Sequence, residues 1–175
     1  MKKWLNSWGW IVGVALLLAV PLGFHYFDRW AADACIRQGR TFVNSKQYPQ
    51  AIDQFNKAIQ IAPKYAPAYH GRGLAYLDQG ETDRAIADFS EAIRLDASDS
   101  RSRYHRGVAQ ARKKELDHAL ADLTEAIRIN PTYAAAYLTR SWVYNEMGDA
   151  ARANADRQKG AELDPALEKS ASGNP

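Results

Sequence analysis

The residues best equipped for chemistry in this chain are two histidines, His70 and His105, one cysteine, Cys35, and a recurring set of arginines and aspartates. A metal site needs several donors converging at ligand spacing, and no acidic or cysteine ligand accompanies the histidines in that way. A polar structural role is expected for both, and no metal is expected. The sequence has no phosphate loop, no Gly-x-Ser-x-Gly elbow and no paired carboxylates in an apolar setting. Neither catalysis nor a cofactor is therefore expected. Cys35 is the single cysteine, so no intramolecular disulfide framework exists. Asp28, Arg29 and Asp33 separate it from the apolar stretch before it and make it a poor lipid-attachment site.

The charge balance narrows the partners. The pI is about 9.0 and the net charge +3, but Lys2 and Lys3 stand ahead of the first acid, Asp28. Without them 21 basic residues face 20 acidic ones. A general polyanion-binding surface, and hence a nucleic-acid partner, is not expected. Many of the remaining charges pair at i, i+3 spacing, such as Glu91 with Arg94 and Glu125 with Arg128, which suits helix surfaces.

Two kinds of element must position these residues. The first is an apolar run, WGWIVGVALLLAVPLGFHYF, over 8–27. Twenty such residues at about 1.5 Å rise span a hydrocarbon core of about 30 Å. Trp4, Trp8 and Trp10 at one end and Tyr26 and Trp30 at the other suit the two interfacial belts. The alternative is a cleaved secretory signal with Ile11 to Val20 as its apolar region, but Pro21, Leu22, Gly23 and Phe24 offer no small-x-small cleavage site. The expectation is a single-pass anchor with residues 1–7 as a short cytoplasmic tail, held there by Lys2 and Lys3. The rest of the chain then lies outside the cytoplasm, on the periplasmic face of an inner membrane if the source is a Gram-negative bacterium. Pro21 and Gly23 kink the span. No helix breaker occurs between Phe24 and Arg37, so 28–31 is a short junction feeding the next helix.

The second kind of element is a repeat. Ala51, Ala85, Ala119 and Ala153 are spaced by 34 residues. With units starting at Ala32, Ala66, Ser100 and Ala134, position 8 reads Gly39, Gly73, Gly107 and Ser141. Position 24 reads Phe55, Phe89, Leu123 and Arg157, and position 27 reads Ala58, Ala92, Ala126 and Gly160. Position 32 reads Pro63, Ala97, Pro131 and Pro165. Positions 4, 8 and 11 make one stripe of a first helix, and positions 20, 24 and 27 one stripe of a second. Small residues at 8 and 20 let the two backbones approach while larger ones fill the space beside them. The prolines stop the second helix, and Gly80 and Gly148 mark turns between helices.

In this register the chain resembles the tetratricopeptide-repeat family over residues 32–167. The resemblance implies an all-α fold of four helix-turn-helix units, 32–65, 66–99, 100–133 and 134–167, in a right-handed solenoid. The second helix of the fourth unit carries Asn154, Arg157 and Gly160 in place of apolar residues and reads as a solubilising cap, with 168–175 a frayed tail. Arg72, Arg106 and Arg140 hold position 7 and Asp88, Asp122 and Asp156 position 23, whereas the first unit has Gln38 and Gln54. An Arg–Asp bridge across each hairpin is expected, with a Gln–Gln contact in the first; the alternative is separate solvated charges.

The resemblance also implies a partner-binding concave face made by the first helices. Its expected contributors are Arg37, Arg40, His70, Leu74, Leu77, Arg101, Tyr104, His105, Val108, Arg112, Leu138, Trp142 and Asn145. Trp142, Tyr104 and Arg101 are of the types found as hot spots; plain packing is the alternative for Trp142 and Leu138. The arginines beside an apolar floor suit a peptide or amphipathic helix bearing acidic groups. The family's clamp for a C-terminal carboxylate is not supported, because its positions hold Ile36, Arg40, Gly71, Arg101 and His105. The expectation is a membrane-bound adaptor or scaffold for assembly of a membrane complex. The alternative is a self-associating structural protein forming a homo-oligomer.

Overall fold

A computed structural model describes residues 28–167, and these are helical and contain no strand. The expected anchor over 8–27 lies outside the described residues, as do the tails 1–7 and 168–175. Among the described helices none is long and apolar enough to cross a membrane. The helices are α1 (28–44), α2 (Tyr48–Ile61), α3 (Ala66–Gln79), α4 (Thr82–Leu95), α5 (Ser100–Arg112), α6 (Leu116–Ile129), α7 (Ala134–Glu146) and α8 (Ala150–Leu163). Residues 28–31, expected as a junction, are already part of α1.

The breaks between helices follow from local chemistry. Pro63, Pro131 and Pro165 each stand two residues past the last residue of a second helix, where the missing amide proton blocks continuation. Ala97 replaces proline after α4, and there the Asp96 carboxylate accepts from the Ser98 amide (3.0 Å) and hydroxyl (2.6 Å) to close the turn. Within each hairpin the chain passes through one left-handed residue: Lys46 (φ 57°), Gly80 (φ 86°), Lys114 (φ 63°) and Gly148 (φ 82°). Only glycine takes that conformation without a Cβ penalty. The two lysines share the position of the glycines, which sequence reading had marked only at Gly80 and Gly148.

Packing is governed by a small-against-large rule. Phe55, Phe89 and Leu123 are fully buried, with Ala51, Ala85 and Ala119 beside them. A Cβ on Gly39 or Gly71 would strike the Phe55 ring, so this one side chain fills a slot between its own hairpin and the next. Phe89 lies against Gly73 in the same manner. In the last unit Arg157 is exposed, and Leu138 of α7 leans onto Gly160 instead.

The arginines fasten neighbouring hairpins. Arg72, Arg106 and Arg140 each donate from Nε and NH2 to both oxygens of Asp88, Asp122 and Asp156, at 2.7–2.8 Å. The expected bridge is present in all three units. Each NH1 donates back to the preceding hairpin, to Asn56 Oδ1 (2.6 Å), Ser90 Oγ (3.0 Å) and Thr124 Oγ1 (3.1 Å). Each guanidinium is therefore held by two hairpins at once. Tyr69 and Tyr76 flank Arg72, and Tyr137 and Tyr144 flank Arg140, within cation–π range. Arg103 and Gln110 replace these tyrosines around Arg106, and Arg103 Nε and Gln110 Oε1 are buried with no hydrogen-bond partner. No hydrogen bond joins Gln38 and Gln54 in the first unit, and Gln38 is exposed, with no earlier second helix against α1 among the described residues.

α3 touches α5 and α5 touches α7, whereas α2, α4, α6 and α8 make no such contacts with one another. The first helices thus line the inner side of the array. Asp122 is 6% exposed, so removing its cation strands a buried carboxylate. Arg106→Ala is expected to cost about 2–3 kcal/mol by urea denaturation, and Arg106→Met with Asp122→Leu to recover most of it. Arg94→Ala, which breaks the exposed pair with Glu91, should leave the midpoint unmoved. Equal effects of Arg94→Ala and Arg106→Ala would contradict the fastening role.

Candidate functional site

The inner face is built from one side of α1, α3, α5 and α7, and burial divides the expected contributors. Arg37, Arg40, Arg101, Arg112, Trp142 and Asn145 are exposed. Leu74, Tyr104, His105, Val108 and Leu138 are half-buried. Leu77 is buried against Ala85, Phe89 and Ala109, and His70 is buried too, so these two support the floor and offer little of themselves to a partner. Leu138 packs on Gly160 of α8, the alternative left open for it by sequence.

Trp142 behaves differently from the core aromatics. It is 39% exposed, with the Lys114 ammonium 5.0 Å from its ring centre. Lys114 also donates to Glu146 at 2.5 Å, so an ion pair frames the indole without covering it. Arg112 donates to the Leu77 carbonyl (3.1 Å) and ties α5 to the end of α3.

The two histidines meet at the joint between the second and third units. Their ring centres are 5.3 Å apart, and each lies 5.8 Å from the Phe89 ring. His105 occupies the place that Gly71 holds one unit earlier, which sets an imidazole against the position-24 ring where the earlier unit has a bare backbone against Phe55. Tyr104 packs on His105 at 4.8 Å and on Tyr133 at 4.9 Å. Ser102 Oγ donates to Asp99 Oδ2 (2.7 Å) and lies 2.8 Å from His70 Nδ1. The single hydroxyl proton is committed to the carboxylate, so Nδ1 carries the proton and donates to Ser102. Asp99 also caps α5 through the Arg101 amide (3.1 Å).

Burial pushes His70 down from 6.5 to about 4, with Asp99 opposing and Arg101 and Arg40 adding to the fall. Burial likewise lowers His105 to about 4, with His70 and Arg101 assisting and Asp99 opposing. For Asp99 burial acts upward, but the Ser102 bond, His70 and Arg101 hold it below the ordinary carboxylate value. Both histidines are neutral at neutral pH, so the positive charge of this face comes from its arginines. No group of three or more metal-ligating side chains occurs among the described residues. An open depression of about 830 Å³ lies elsewhere, at the turns bordered by Arg29, Lys64, Tyr65, Leu95 and Asp96, and includes none of the expected groove residues.

Comparison with known proteins agrees with this architecture. A family model described as tetratricopeptide repeat matches residues 70–134, and another described as TPR repeat matches 39–80. No curated protein matches the chain. Among solved structures, the chain is similar to a crystal structure of MamA, with a TM-score of 0.71 and 23% identity over 79% of this chain and 81% of that one. It is also similar to pilF of Pseudomonas aeruginosa, with a TM-score of 0.75 and 22% identity over 79% and 63% of the two chains. The first TPR domain of Spaghetti (RPAP3), bound to the HSP90 peptide SRMEEVD, matches at a TM-score of 0.67 and 20% identity over 69% of this chain and 95% of that one. At these identities the likeness establishes the fold.

The histidine joint sets an acid limit on stability. The folded histidines titrate near 4 and unfolded ones near 6.5, so the unfolded chain binds more protons in between. Stability is fully present above pH 6.5 and is lost as pH falls toward 4. The expected loss between pH 7 and 5 is on the order of 2 kcal/mol per histidine by urea denaturation, much reduced in His70→Gln/His105→Gln. An equal loss in that variant would place the acid sensitivity elsewhere.

Proposed function

Because the chain belongs to the tetratricopeptide-repeat family, whose members serve as protein-interaction scaffolds and are typically not enzymes, we propose that it is a membrane-anchored adaptor. Its inner face holds a segment of a partner protein. The observation that carries this reading is Trp142, a large aromatic kept 39% exposed on the inner face while the position-24 aromatics are fully buried. Exposed aromatic and arginine side chains on a rigid surface make effective anchors. A domain of this fold bound to a peptide, as in the Spaghetti complex, supports a peptide-holding role. The adaptor acts on a membrane complex or its assembly intermediate, because the apolar run over 8–27 is followed directly by residues that are already helical at 28. That placement keeps the groove close to the bilayer.

No catalytic role is proposed. Self-association through the array's ends is the competing reading, and the exposed Asn154 and Arg157 on α8 weigh against stacking at that end. Co-purification of the full chain from membranes tests the adaptor reading. Trp142→Ala and Arg101→Glu are each expected to reduce recovery of the bound protein by roughly tenfold, about 1.4 kcal/mol. Unchanged partners in both variants, or recovery of further copies of the chain alone, would overturn it. Orientation has its own test: an alkaline phosphatase fused after Pro175 should be active, and a fluorescent cytoplasmic reporter dark. The reverse pattern would place the repeats in the cytoplasm.

A further inference from the structure

The charged residues are partnered very differently on the two sides of the array. Arg157 apart, every lysine and arginine on α2, α4, α6 and α8 lies within ion-pair reach of a carboxylate, as Lys57 does of Asp53 and Arg94 of Glu91. The position-7 arginines of α3, α5 and α7 are satisfied as described. The inner face departs from this pattern. Arg37 and Arg40 are exposed with no carboxylate partner among the described residues, and Arg112 bonds only a carbonyl. Arg101 reaches Asp99 at 3.2 Å, but that carboxylate already accepts from Ser102 and from the Arg101 amide.

The acids of the same face do not offset these cations. Asp33 accepts from the Tyr65 hydroxyl at 2.6 Å, and Glu146 is taken by Lys114. Asp78 is the exposed inner-face carboxylate without a cation of its own. Arg40 and Arg101 come from units one and three, yet both act on His70 between them. Their charges thus converge across α3, above two imidazoles that contribute none at neutral pH.

We infer that the partner segment is acidic, with carboxylates that pair with Arg37, Arg40, Arg101 and Arg112 and a bulky apolar residue that covers Trp142. This rests on the groove reading above and narrows it to one class of ligand. Charge complementarity supplies the reason. On the second helices the exposed cations, Arg157 apart, come with carboxylates, and the inner face withholds them where the segment would lie. Trp142 stands on α7, beyond the arginines of α1 and α5, so the apolar anchor and the acidic stretch occupy successive parts of one segment.

The test uses the full chain in detergent micelles and fluorescein-labelled peptides of one length read by anisotropy. One peptide is glutamate-rich with a single tryptophan; the others replace its glutamates with glutamine or lysine. A heparin fragment serves as a non-peptide polyanion. The glutamate peptide should bind at least about tenfold tighter than the glutamine peptide, a difference of about 1.4 kcal/mol. Its affinity should fall as salt is raised. Arg37→Glu/Arg40→Glu should reverse the preference toward the lysine peptide, while Arg94→Glu on α4 should not. Equal binding of glutamate and glutamine peptides would overturn the acidic assignment and leave the adaptor reading standing. Binding of heparin as tight as the glutamate peptide, or no binding of any peptide at low salt, would also overturn it. Loss of partners in the Trp142→Ala co-purification concerns the adaptor reading alone.

Discussion

The structure depends on how closely a first helix can approach the ring behind it. Phe55 fills the space that side chains on Gly39 and Gly71 would need, so one ring registers its own hairpin against the next. A hairpin of two short helices cannot bury both faces by itself, and stacking completes its core. The consequence spreads along the array. Where His105 replaces glycine at the corresponding place, it stacks on Phe89 and lies against His70, which is bonded to Ser102 and through it linked to Asp99. The inner face between units two and three is therefore polar because a packing position was given to histidine.

The arginines supply the directional counterpart of this packing. A ring in a slot fixes separation, whereas a guanidinium bonded to an aspartate of its own hairpin and an oxygen of the preceding one fixes rotation and height as well. With α1 to α8 so fixed, the inner residues are carried on a rigid support. A rigid support lets a binding face leave its cations unpaired without the chain folding back to satisfy them.

Much of this was legible because periodic burial depends only on size and polarity. The alanines at Ala51, Ala85 and Ala119, the rings behind them and the Arg72–Asp88 type of pair all repeat in one chemical form. The backward bond to Asn56, Ser90 and Thr124 was missed although its positions repeat just as strictly. Those three share a side-chain oxygen but not a residue type, and that shared oxygen was the available signal. Lys46 and Lys114 were missed as left-handed residues because lysine carries no such preference; only their alignment with Gly80 and Gly148 marks them. On the inner face, spacing identified which side of each helix a residue takes but not its depth. His70 and Leu77 therefore proved to be floor, Leu138 to be packing, and Trp142 to be surface.

The account separates second helices whose cations, Arg157 apart, are matched by carboxylates from an inner face whose arginines and Trp142 remain available. Site-specific photocrosslinking in intact cells tests this division most directly, with the photoreactive residue placed at Asn145 on the inner face or at Ala87 on the exposed side of α4. The account predicts a crosslink to a different protein from Asn145 and none from Ala87. Crosslinks from Ala87 instead, or from Asn145 only to further copies of this chain, would contradict it.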